Sequence, residues 1–220
     1  MSDISKCSTL ECKRILAQEL WNGIIPIEFS LAACDLSVQE SPDCVYYPAS
    51  RYSYLPAVAE DIVAHFRSFA VDLNSKVWFE FNGTPMKTHI PIGCLYDLLC
   101  DNNSDSLPWK IIIHFQYFPV QDILQCCSKS DAERMFFHTL KQGLYIINGN
   151  LRDFSALTHE HQTNLWENLC KGERLLYENE IKSLVAEQND MKKLPYRFYV
   201  HYKHRKRVSD GDAFETIDCA

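Results

Sequence analysis

Between residues 24 and 81 the spacing of apolar residues changes twice, and few folds accommodate both changes. Ile25, Ile27, Phe29 and Leu31 alternate with Pro26, Glu28 and Ser30. That is the period of a strand with one buried face. Leu55, Val58, Ile62, Phe66 and Phe69 are then separated by three, four, four and three residues. This spacing predicts a helix over 54–69 with a single apolar side. Residues 77–81 return to alternation, and Asn82-Gly83 supplies the turn dipeptide of a hairpin whose return strand is predicted over 86–89. A sheet with one apolar face, covered by one amphipathic helix, buries all of these segments together.

The flanking segments extend the pattern. A helix is predicted over 10–21, with Ile15, Leu16, Leu20 and Trp21 on its apolar side and Asn22-Gly23 as its stop. A loop over 32–45 leads to a short strand over 45–47, ended by Pro48. Pro56 suits the first turn of the 54–69 helix, where its missing N–H costs little. A short apolar helix over 92–99 follows Pro91, and an isoleucine-rich strand covers 109–115. Strand, strand, helix, strand, strand, short helix, strand is the order of the ubiquitin-like β-grasp. After Pro119 the period is helical, through Ala132, Met135, Phe136, Leu140 and Leu144, and again from 159 to 186 with an interruption or bend at Gly172. The predicted fold class is α+β. It divides into an N-terminal helix (1–23), a ubiquitin-like domain (24–118) and a helix-rich domain (119–194). Residues 195–220 are strand-like only as far as Tyr202.

Composition narrows the function classes. With 220 residues, 46% of them hydrophobic, the chain can bury one large core or two small ones. A net charge of -7 argues against sequence-independent nucleic-acid binding. No stretch reaches the roughly 18 apolar residues of a membrane span, and no secretory signal is visible, so a cytoplasmic location is expected. The ten cysteines include no Cys-x-x-Cys pair. They read as free thiols, with neither disulfides nor a metal expected from their spacing.

The run from Trp78-Phe79-Glu80-Phe81 through Gly83-Thr84-Pro85 and Pro91-Ile92-Gly93 to Leu99 resembles the signature region of the autophagy protein 5 family. Leu107-Pro108-Trp109 to Phe118-Pro119, Trp21-x-Gly23-x-Ile25-Pro26, Arg51-x-Ser53-Tyr54-Leu55 and Leu165-Trp166 are similar to further family blocks in the same order. The resemblance covers about residues 15–202. It implies a ubiquitin-like domain, a helix-rich domain and a second ubiquitin-like domain. Here the second domain is expected to be truncated, since 196–200 reads as its first strand and 203–220 carries no apolar periodicity.

The resemblance further implies a non-catalytic scaffold with no cofactor. One lysine would be joined covalently to the ubiquitin-like autophagy protein 12 by the activating and conjugating enzymes of the pathway. Autophagy protein 16 would bind non-covalently, less well if the second domain is incomplete. The assembled complex would promote lipidation of an autophagy protein 8-type modifier at the phagophore membrane. The family's acceptor position falls on Lys141, in Leu140-Lys141-Gln142, with Lys129 and Lys171 as the nearest competitors. The amine must lose a proton before it attacks a thioester to give an isopeptide bond. Trp21 and Arg51 correspond to the surface that contacts autophagy protein 16.

Ordinary readings stand beside these. From spacing alone Lys141 is a solvated helix charge, Trp21 serves equally as a core anchor, and Arg51 as a solvated arginine. Asp97 reads as structural. His159-Glu160-His161 lacks the i, i+4 spacing of a zinc helix. The basic run 203–207 fits a solvated tail, an anionic-lipid contact or a nuclear address. The rival functions are a thiol-dependent enzyme and a ubiquitin-like binding module that is never conjugated.

Overall fold

A computed structural model describes residues 9–37, 41–72, 74–100 and 107–185. The expectations for 195–220, including the second ubiquitin-like domain and the basic run, lie outside the described residues. Within them the chain is α+β: a ubiquitin-like sheet followed by a helical bundle.

Five strands form one sheet in the order β2-β1-β5-β3-β4. They are β1 (Ile24–Leu31), β2 (Val45–Ser50), β3 (Trp78–Phe81), β4 (Thr84–Pro85) and β5 (Trp109–His114). β1 pairs antiparallel with β2 and parallel with β5, with Leu31 opposite Ile113. β5 then pairs antiparallel with β3. The parallel central pair is the crossing-back strand that the element order predicts. Ile25, Ile27, Phe29 and Leu31 are all buried, as their alternation requires. Phe79, Ile111 and Ile113 join them, and Ile62, Phe66, Ile92 and Leu95 from the helices close this core.

Three local expectations change. The 54–69 helix is two helices, α2 (Leu55–Val58) and α3 (Glu60–Arg67), because Ala59 leaves the helical region at φ -95 and ψ 6. The break lets α3 lie in the sheet's core while α2 turns toward the bundle. β2 runs through Pro48 to Ser50, which an edge strand permits. Pro48 faces Pro26, ahead of the point where β5 joins β1 at Ile27. The return strand stops at Pro85. Met86 N–H still donates to the Phe79 carbonyl at 2.8 Å, but the chain then turns to bury Thr88, whose hydroxyl donates to the Cys126 carbonyl at 2.7 Å.

α1 (Thr9–Trp21) forms where predicted, yet Ile15, Leu16 and Leu20 are exposed. α4 (Ile92–Leu99) matches its predicted bounds. The bundle comprises α5 (Lys129–Asn148), α6 (Arg152–Ser155), α7 (His159–Lys171) and α8 (Arg174–Ile181). Gly172 takes the left-handed conformation at φ 74 and stops α7 outright, so the long helical stretch is two helices. A second core forms from Ala132, Phe136, Phe154, Leu165, Trp166 and Leu169. Tyr54, from the segment leading out of the sheet, enters this core beside Trp166 at 5.6 Å between ring centroids. Its neighbour Leu55 belongs to the core of the sheet.

The start of α5 is fixed by a reciprocal cap. The Ser128 hydroxyl accepts the Asp131 N–H, and the Asp131 carboxylate accepts the N–H groups of Cys127 and Ser128. Burial pushes the Asp131 carboxyl up. The Ser128 hydroxyl, the two backbone donors and the Arg134 charge outweigh that and hold it below the ordinary range. A carboxyl lowered in the folded state stabilises above its unfolded value and loses that contribution as pH falls through the lowered one. Asp131→Ala is therefore expected to cost about 1 kcal/mol near neutral pH. The gap from wild type should close on acidification below the carboxylate range, read by urea unfolding at several pH values. A gap that stays constant with pH would contradict this role.

Candidate functional site

Trp21 ends α1 and ties the first helix to the bundle. Its ring stacks on Tyr52 at 4.4 Å and lies 5.3 Å from Tyr177. Its Nε1–H donates to the Gly172 carbonyl at 2.7 Å. That carbonyl is offered because α7 ends there in a left-handed turn. Burial in this cluster pushes the Tyr177 phenol up to about 12. Arg174 adds a contact from α8 to α1, donating to Gln18 Oε1 at 3.2 Å. Beside the cluster lies a cavity of about 560 Å³ lined by Trp21, Gly23, Tyr47, Lys129, Glu167 and Gly172. Trp21 is thus a partly buried anchor that also borders an open cleft.

Arg51 is neither free nor simply solvated. Its guanidinium pairs with the Asp97 carboxylate and reaches the Gly93 carbonyl at 3.4 Å. Its own backbone is used as well. The Arg51 N–H donates to Gly23, and its carbonyl accepts the Gly93 N–H at 2.8 Å. The Ser53 carbonyl accepts the Ile92 N–H at 2.8 Å, so residues 51–53 cap the start of α4. Asp97, read as structural, is the partner that orients the guanidinium.

Lys141 lies on the exposed side of α5. Its Nζ sits 4.8 Å from the centroid of the Phe154 ring, a cation–π contact worth about 0.5–1 kcal/mol at an exposed site. Its competitors are held differently. Lys129 Nζ is 3.3 Å and Lys171 Nζ 2.9 Å from the Glu167 carboxylate, one on each oxygen. The hydrogen bonds from Lys171 and Lys129 hold the Glu167 carboxyl below its usual range. Burial pulls the Lys129 amine down, but the hydrogen bond and charge of Glu167 win and leave it raised. A raised amine gives up its proton less readily. Along the same helix, an apolar cavity of about 610 Å³ is lined by Leu140, Gly143, Leu144, Ile147, Ile181 and Val185. Gly143 stays within α5 and marks one side of that cavity.

Burial raises the thiols of Cys44, Cys94 and Cys127, takes Cys126 to about 11 and takes Cys170 to about 12. These groups are thiols near neutral pH, the reverse of what an activated nucleophile needs. His159 and His161 sit in the first turn of α7 and bond locally to Thr163 and Thr158. Sequence reasoning missed Tyr52, Tyr177 and Phe154, which complete the surroundings of Trp21 and Lys141. Only the aromatic residues next to Arg51 hinted at such a cluster.

Two family models match the chain: "Autophagy protein ATG5, UblA domain" over residues 20–115, and "Autophagy protein ATG5, alpha-helical bundle region" over residues 129–186. Autophagy protein 5 of Oryza sativa subsp. indica is 32% identical over 156 residues, covering 71% of this chain and 40% of the relative. Autophagy protein 5 of Arabidopsis thaliana is 30% identical, covering 70% and 45%. The chain therefore spans less than half the length of these plant relatives. The crystal structure of Kluyveromyces marxianus Atg5 superposes with a TM-score of 0.70 at 21% identity, over 83% of this chain and 73% of that one. At that identity the likeness speaks for the fold.

The contact between residues 51 and 93 leaves no room for a side chain. A Cβ on Gly93 would lie 2.8 Å from Arg51 Cβ and 3.0 Å from its carbonyl oxygen. Gly93→Ala is expected to destabilise the chain by about 1–3 kcal/mol, measured by urea unfolding. Arg51→Ala combined with Gly93→Ala should not restore stability, because alanine keeps the Cβ and the backbone oxygen remains.

Proposed function

The chain belongs to the autophagy protein 5 family, and from that premise we propose that it is a conjugation acceptor and scaffold whose reactive group is the Lys141 amine. Activating and conjugating enzymes of the pathway present autophagy protein 12 as a thioester. Lys141 Nζ, once deprotonated, attacks the thioester carbonyl. The new bond is an isopeptide amide and the leaving group is the conjugating enzyme's thiol. The chain supplies its nucleophile once and does not turn over.

The observation that carries this choice is the contrast among three lysines. Lys129 and Lys171 share Glu167, while Lys141 is exposed and its amine rests on the face of Phe154. The aromatic contact restrains the amine, and among the described residues no carboxylate pairs with it, so an incoming enzyme meets no such ion pair. The raised thiols support a non-catalytic role over a thiol-dependent enzyme. Trp21 and Arg51 serve a helix of autophagy protein 16. The exposed Leu16 and Leu20 of α1, with Leu175 and Leu176 of α8, offer apolar surface near Trp21. The assembled conjugate promotes lipidation of autophagy protein 8-type modifiers from a cytoplasmic position, in peripheral contact with the phagophore membrane. No described helix is long and apolar enough to cross a membrane. The sheet-bearing and helical parts divide near residue 119, after the leading helix Thr9–Trp21.

Reconstituted conjugation tests the acceptor. Lys141→Arg should abolish the covalent adduct, whereas Lys129→Arg and Lys171→Arg should retain it, read by gel shift and peptide mass spectrometry. An adduct of wild-type yield on Lys141→Arg would overturn the assignment, and no adduct on any form would favour the unconjugated binding module. For the partner surface, Trp21→Ala should weaken capture of an autophagy protein 16 helix at least tenfold while leaving Lys141 conjugation intact.

A further inference from the structure

We propose that Cys34, Asp35 and His114 form a binding site for a divalent cation of the zinc class, at the end of the sheet. None of the residues assigned to conjugation or partner binding belongs to it.

The placement follows from the sheet's register. Leu31 ends β1 opposite Ile113 of β5, and a 3₁₀ turn over Ala33–Asp35 begins two residues later. That turn brings Cys34 and Asp35 against His114, the last residue of β5. One donor atom from each of the three side chains lies within 4.8 Å of the other two. His114 Nδ1 is 3.8 Å from Asp35 Oδ2. A tetrahedral zinc ion with bonds of about 2.0–2.3 Å sets its ligand atoms roughly 3.3–3.8 Å apart, so the His114–Asp35 pair already fits and the widest pair closes by at most about 1 Å.

Two independent features point to a ligand. The Asp35 side chain is fully buried, and its Oδ1 finds no hydrogen-bond partner among the described residues. Its Oδ2 accepts the Phe115 N–H at 2.7 Å. Oδ2 is the oxygen nearer the imidazole; a buried Oδ1 without a donor is costly, and a cation held by the carboxylate would satisfy it. The second feature is the far side of the imidazole. His114 Nε2 lies 2.9 Å from Glu80 Oε2 on β3, and the ring stacks on Trp78 at 3.9 Å. That contact is not aligned as a hydrogen bond, and Nε2 has none among the described residues; once aligned, a carboxylate behind the non-ligating nitrogen would fix the tautomer and raise the basicity of a metal-bound histidine. Cys34 is exposed, which leaves an entry path and a fourth position open to water. Thiolate, imidazole and carboxylate together suit zinc rather than magnesium or calcium. Coordination of Cys34 releases its thiol proton to solvent. Bound metal would cross-link the ends of β1 and β5 through side chains and reach β3 through Glu80.

The test uses the full chain and the metal alone. Cobalt(II) is titrated in, followed by displacement with zinc. Wild type should take up one ion with the thiolate-to-metal charge-transfer band and the visible bands of a four-coordinate site. Cys34→Ser should lose the charge-transfer band and bind at least tenfold more weakly. Glu80→Gln should keep the band but weaken binding about 10–100-fold. Zinc should raise Tm in wild type and not in Cys34→Ser. If His114→Gln fails to fold, Cys34→Ser decides alone, because its side chain is at the surface. A band and affinity unchanged in Cys34→Ser would mean that other cysteines hold the metal, and would overturn the proposal. So would a wild type that takes up no ion.

Discussion

Two hydrophobic cores meet at consecutive residues of one short segment, and the arrangement of the whole chain depends on that. Leu55 is buried with the sheet, and Tyr54 is buried with the bundle against Trp166. A peptide bond separates them, so neither core can shift without straining the other. The residues just before complete the junction. Ser53 and Arg51 hold the start of α4, and Tyr52 stacks on Trp21 from α1. Five successive residues thus reach four different elements. Gly93 and Gly172 are the backbone counterparts of this junction. One admits Arg51 at a distance no Cβ allows, and the other turns α7 so that its carbonyl meets the Trp21 indole.

The lysines illustrate how one side chain acquires different surroundings from position alone. All three sit on helices of the bundle. Glu167 lies on α7 within reach of Lys171 four residues on and of Lys129 at the start of α5, and it pairs with both. Lys141 is twelve residues further along α5 and meets Phe154 of α6 instead. An aromatic face restrains a cation without offering the proton-holding charge of a carboxylate. The difference comes from helix packing, not from the residues adjacent to each lysine.

Much of the fold was legible before any coordinates. The alternation at Ile25, Ile27, Phe29 and Leu31 and the bounds of α4 follow from periods of two and 3.6. What failed did so for physical reasons. The break at Ala59 carries no sequence signal, since alanine is the best helix former, and tertiary packing overrode propensity there. The 86–89 segment alternates like a strand but gives up its ladder after Met86, because Thr88 finds a buried partner at Cys126. The apolar side of α1 was legible, and its exposure was not. Periodicity reports which residues share a face but not what covers it.

The candidate sites divide in the same way. Resemblance of ordered motifs singled out Lys141, Trp21 and Arg51, and the spacing of cysteines argued against a metal. Local spacing detects only ligands that share one turn or one hairpin. Cys34 and His114 are eighty residues apart and meet because β1 and β5 run parallel side by side. The sequence by itself determined the class of fold, the strands and helices that build it, and the family to which the chain belongs. Only the tertiary structure decided that Lys129 reaches Glu167 while Lys141 meets Phe154, that Arg51 is bound to Asp97, and that a buried carboxylate lies beside a thiol and an imidazole. Each of these is a relation between residues distant in the chain, and such relations are fixed by strand register and helix packing.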